Sequence, residues 1–163
     1  METVFSEIAK HNSVPDTFCS YHKILLGSAY AKVLEKPYMI INTSLVCDAN
    51  NITFKEIAKL YDIPHFYIDI PSFLNKDSAQ YVAEQFRELR KFIENHAGKI
   101  LNNKKFLENI NRSKQTINNL KNCYNEKKLY TLNNTMTSEL YEFYITHNAL
   151  GTKESLKYSS MLF

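Results

Sequence analysis

The chain has 163 residues, 44% hydrophobic and 23% charged, with a formal net charge of +3. That length buries a real core, and the balance excludes wholesale disorder. The lysines are scattered rather than gathered in a basic stripe, which argues against nucleic acid as the partner.

From the N-terminus, METVFSEIAK carries charges where a signal peptide needs its apolar centre, so a cytoplasmic protein is expected. The apolar runs fall far short of the roughly 20 residues of a membrane span, so no membrane role is expected. Residues 21–36 place Ile24, Leu25, Ala29, Val33 and Leu34 at helical spacing, and Pro37 stops the pattern. Residues 38–41, a short continuous apolar run, predict a strand buried on both faces. Asp48 is the predicted N-cap of a helix whose apolar side carries Ile52, Ile57 and Leu60. Pro64 ends that helix, and residues 65–70 predict a second strand closed by Pro71. Strand, helix and strand within about 33 residues form a βαβ unit with parallel strands. The fold class expected is therefore α/β.

Beyond Asn75 the texture changes. Ala79, Val82, Phe86, Leu89 and Ile93 predict a helix capped by Gly98, and Phe106, Ile110, Ile117, Leu120 and Tyr124 a second one. The two are expected to pair as a hairpin, burying these stripes against each other or the sheet. Shorter helices are expected over 138–148 and from Thr152 onward, separated by Gly151. This divides the chain into a partial α/β lobe, 1–76, and a mainly helical subdomain, 77–163. The last residues, 159–163, lie inside an apolar stretch without a polar tail and read as a cut chain.

Three cysteines give no even disulfide framework, and a sequence without GxGxxG or GxxxxGK offers no common nucleotide-phosphate loop. Cys19 and Cys47 share a setting: each follows an extended or turn segment and precedes the first turn of a predicted helix. Unpaired N–H groups there favour a thiolate, and strand carboxyl ends gather ligands in open parallel sheets. The two cysteines are thus packing residues, reactive thiols or ligands of a soft metal centre. A zinc or thiol-redox pair is one form of the last two. Cys123 sits beside Leu120 and Tyr124 on a helix's apolar side and is expected to pack. Ser20, His22 and Asp48 stand next to the cysteines and are candidates for supporting a metal centre there; His22, one turn past Cys19, could donate to it, although a solvated or capping role is expected. His65 begins a strand, and His96 and His147 lie near helix ends, where the dipole favours them. Asp69 is expected to hydrogen-bond the nearby loop. The repeated asparagines, among them Asn133 and Asn134, reflect composition rather than a site.

VPDTFCSYHKILLGSAY, NTSLVCDANNITFKEIAKLYDIPHFYIDIP, KDSAQYVAEQFRELRKFIE and the closing LGTKESLKYSSMLF together resemble the 2-hydroxyacyl-CoA dehydratase subunit family, which takes in benzoyl-CoA reductase subunits. The resemblance runs from about Pro15 to the end of the chain. It implies Rossmann-like α/β lobes with helical additions, and a [4Fe–4S] cluster held by three cysteines. It also implies a partner dehydratase subunit, an acyl-CoA substrate and an ATP-dependent activator that injects one electron. The resulting ketyl radical anion of the thioester makes the β-hydrogen acidic and lets the 2-hydroxyl leave. By motif, Cys19 and Cys47 would be two ligands; the third belongs to a later lobe that Cys123 does not match. The alternative is a binding or assembly module that kept the fold and lost the cluster.

Overall fold

A computed structural model describes residues 2–45, 47–73, 75–128 and 136–162; Asn133, Asn134 and Phe163 lie outside them. The chain forms two compact units, Met1–Lys99 and Ile100–Phe163. The first holds α1 (Glu2–His11), α2 (Ser20–Tyr30), β1 (Ile40–Thr43), α3 (Asp48–Tyr61), β2 (His65–Ile68) and α4 (Lys76–Ala97). The second holds α5 (Asn103–Lys127), α6 (Met136–Asn148) and α7 (Lys153–Leu162). The described chain is thus mostly helical. No helix among the described residues is long and apolar enough to cross a membrane.

The βαβ unit is present, with β1 and β2 parallel and Ile40 opposite His65 through Thr43 opposite Ile68. Among the described residues the sheet has these two strands only, as a partial lobe would, and the Rossmann-like core that the resemblance implies is not found. Nor is β1 buried on both faces. Ile40 and Asn42 face inward, whereas Ile41 is 41% exposed, because helices cover one side of so narrow a sheet. The strand also begins later than expected, leaving Tyr38 outside it with its hydroxyl donating to the His96 carbonyl at the end of α4.

The core of the first unit joins Leu26 and Ala29 of α2, Ile40 of β1, and Ile57 and Ala58 of α3. α1, which the sequence reading left unassigned, packs on α2 across Gly27. A Cβ built at Gly27 would stand 1.9 Å from the Phe5 carbonyl oxygen, so only glycine allows this approach. α2 stops at Tyr30, short of the predicted 36, because Lys32 turns left-handed at φ 57°. Lys32 N–H then bonds Ala29 O at 3.0 Å and Val33 N–H bonds Ser28 O at 3.0 Å, which satisfies the last carbonyls. Ser13 after α1 and Asp62 after α3 adopt the same left-handed cap.

α4 lies along β2, with Phe92 against Phe66 at 5.2 Å between ring centres. Its N-terminus is closed by a capping box of Asn75 and Ser78, and its C-terminus by Gly98 at φ 63°, as expected. The half-buried positions run through Val82, Gln85, Leu89 and Phe92, so Phe86, at 54% exposure, falls outside the face the stripe predicted. In the second unit, α5 packs with α7 through small and polar side chains. Asn119 donates to Ser159 Oγ at 3.1 Å, and Arg112 Nε donates to the Gly151 carbonyl at 2.7 Å. Cys123 is buried there beside Leu120, in the packing role expected of it, while Phe106 and Ile110 are exposed.

Two stability effects follow from this packing. Gly27→Ala should cost about 3 kcal/mol, or detach α1, because backbone must move to admit the methyl. Lys32→Gly should add about 1 kcal/mol by relieving a left-handed residue that carries a Cβ. Urea denaturation midpoints of the two variants check both signs.

Candidate metal centre

α2 and α3 lie side by side and run in the same direction. Near their ends, Tyr61 OH donates to the Leu34 carbonyl at 2.6 Å and Tyr30 OH to Glu56 at 3.3 Å. Near their starts, His22 Nε2 lies 3.4 Å from Cys47 Sγ. The two N-termini therefore open at one end of the unit, where β1 also delivers its carboxyl end.

Cys19 is the N-cap residue of α2 and Cys47 the N-cap residue of α3. The N-cap expected at Asp48 is corrected: Asp48 is the first helical residue, because Cys47 is the last with extended backbone, at φ −160°. Neither sulfur makes a cap hydrogen bond to its helix, and both cysteines are exposed. Both thiols thus sit where two helix dipoles present their positive ends, unspent on capping. Asp48 adds a carboxylate to the first turn of α3.

Ser44, just past β1, is pinned. Ser44 N–H bonds Ile68 O at 3.0 Å, and Ser44 Oγ accepts from Ile70 N–H at 2.7 Å and donates to Ile70 O at 3.3 Å. β2 is fixed in turn from α4. Gln85 grips the Asp69 backbone, accepting from its N–H and donating to its carbonyl, each at 2.7 Å, and Tyr81 donates to the Asp69 carboxylate at 3.2 Å. Asp69 therefore follows β2 and is held by α4, not by the loop the sequence suggested.

His22 is not the solvated or capping histidine expected. It is 3% exposed, lies between the rings of Phe18 and Tyr21, and its Nδ1 is buried without a hydrogen-bond partner. Burial lowers its pKa from the ordinary 6.5. The sequence signal for this placement was its position one turn into α2 after Cys19, which puts it on the inward side with Leu26. His96 and His147 do meet their helix ends, with Nδ1 at 2.8 Å from Phe92 O and 2.9 Å from Phe143 O. Among the described residues, no three His, Cys, Asp or Glu side chains gather as a metal-binding group.

Beneath the cysteine end lies a polar network that the sequence reading missed. Buried Asn42 on β1 donates to Asn51 of α3 at 3.1 Å and accepts from His65 Nε2 at 2.6 Å, while Asn51 donates to Tyr67 OH at 3.3 Å. It ties the first turns of α3 to both strands. The pKa of His65 is lowered from 6.5, first by burial and then by Lys55. A histidine held neutral in the fold binds its proton more readily once unfolded, so its contribution is complete above about pH 6.5 and declines as pH falls through that value. Unfolding free energy should accordingly fall as pH drops below about 6.5, and His65→Gln, which keeps an N–H for Asn42, should flatten part of that slope. Denaturant titrations at a series of pH values measure it.

A search of curated proteins gives no match. The family model described as 2-hydroxyglutaryl-CoA dehydratase, D-component, matches residues 2–163, which takes in both units and both N-cap cysteines. The chain belongs to the 2-hydroxyglutaryl-CoA dehydratase D-component family.

Proposed function

We propose that the chain is the part of a 2-hydroxyacyl-CoA dehydratase component that supplies two thiolates, Cys19 and Cys47, to a [4Fe–4S] cluster. The observation that carries the reading is the pair of exposed N-cap cysteines at one end of the unit, with sulfurs unspent on capping. The donor chemistry fits. Thiolates are the ligands iron–sulfur clusters take, and two helix N-termini favour the negative charge such a site accumulates. A third ligand is needed beyond this pair, and Cys123, buried on α5, is spent on packing.

Cys19 and Cys47 would hold such a cluster, and bound there it would supply one-electron chemistry toward a 2-hydroxyacyl-CoA thioester. The chain's own residues prepare the site. The Ser44–Ile70 clip fixes the approach to Cys47, the Asn42 network holds the start of α3, and Ser20 and Asp48 flank the two sulfurs in the first helical turns. The working assembly contains a partner dehydratase subunit.

The second reading is a cluster-less binding or assembly module that keeps the fold. Anaerobic reconstitution with iron and sulfide, in a small thiol that completes the open iron positions, separates the two. The cluster reading expects bound iron with visible sulfur-to-iron absorption in the wild-type chain, lost in Cys19→Ala and in Cys47→Ala and retained in Cys123→Ala. A wild-type chain that binds no iron supports the module instead, and a Cys19→Ala plus Cys47→Ala variant that binds as much iron as wild type contradicts the ligand assignment.

A further inference from the structure

We infer that His22 is a positioning residue for Cys47, donating Nε2–H to its sulfur and thereby favouring the reduced state of a cluster that the sulfur ligates. The inference rests on the cluster reading above. It starts from the contact itself: His22 Nε2 stands 3.4 Å from Cys47 Sγ, within reach of an N–H to sulfur hydrogen bond.

The surroundings of the ring decide which nitrogen carries the proton. A neutral imidazole has one N–H and one bare nitrogen. With the proton on Nδ1, a buried donor would be stranded, since Nδ1 has no partner, and a lone pair on Nε2 would face an electron-rich ligating sulfur. With the proton on Nε2, the bond to sulfur forms and only an acceptor goes unused. Stranding a buried N–H is the rarer and costlier of the two outcomes. Phe18 and Tyr21, with ring centres 5.8 and 5.0 Å away, hold the imidazole in this orientation.

A donor aimed at a ligating sulfur stabilises the more negative form of the cluster, so it raises the reduction potential. It also makes the two sulfurs unequal: neither makes a cap bond, but Cys47 alone has the His22 donor beside it.

Two measurements test this. Long-range 15N–1H NMR of the metal-free chain with labelled histidine should show His22 protonated on Nε2 and bare on Nδ1; the opposite tautomer overturns the proposal without any variant. Redox titration of the reconstituted chain then compares wild type with His22→Leu, which removes the donor, and His22→Gln, whose amide N–H replaces it. His22→Leu should shift the one-electron equilibrium about tenfold toward the oxidised form, the value of one hydrogen bond to a charged group, or about 59 mV more negative. His22→Gln should recover most of that shift. An unchanged potential in His22→Leu defeats the His22 role and leaves the cluster reading standing. A wild-type chain that takes up no cluster removes that reading, and the redox role falls with it.

Discussion

Leu26 and Ala29 of α2 pack with Ile57 and Ala58 of α3, and the parallel run of these two helices governs what happens at their N-termini. Two helices running in the same direction bring two positive dipole ends together, where negative groups are favoured. Here each end is occupied by a cysteine whose sulfur makes no cap hydrogen bond to its helix. The arrangement is maintained at the far end by the Tyr61 and Tyr30 hydroxyls and, from outside, by α1 pressed against Gly27.

The strands contribute position rather than bulk. A two-stranded parallel sheet is too narrow to stabilise itself, and its order comes from side chains that act as additional backbone. Ser44 extends the ladder past β1, and Gln85 of α4 supplies the hydrogen bonds a third strand would give to Asp69. Asn42, buried in the middle of β1, is satisfied by α3 on one side and His65 on the other, so the polar network specifies the register of α3 over the sheet. The end of β1 is therefore a fixed point from which Cys47 is presented.

Much of this was legible in the residues. The helical periodicities, the βαβ unit, Gly98 as a cap and the cysteines before helix starts all follow from local patterns, which short-range sterics and hydrogen bonding enforce. What could not be read locally depended on partners distant in sequence. The end of α2 at Tyr30 is set by a left-handed Lys32, a conformation ordinarily signalled by glycine or asparagine. Cys47 takes the N-cap where Asp48 has the better intrinsic preference, because the pinned strand end decides where extended backbone stops. His22 turned out buried because it faces α3, a contact invisible in the CSYHK stretch itself. Phe86 and Ile93 fit a helical stripe, yet β2 selects the adjacent face of α4 through Phe92.

Family membership points to an acyl-CoA dehydratase, whereas the paired helix starts give a physical reason for these two cysteines to hold an anionic centre. The central claim is that Cys19 and Cys47 act together as ligands. Differential alkylation of the three cysteines before and after anaerobic iron and sulfide loading, read by mass spectrometry, tests it most directly. The account predicts that loading protects Cys19 and Cys47 in parallel and leaves the buried Cys123 unchanged. Iron bound while Cys19 or Cys47 stays fully modifiable would contradict it.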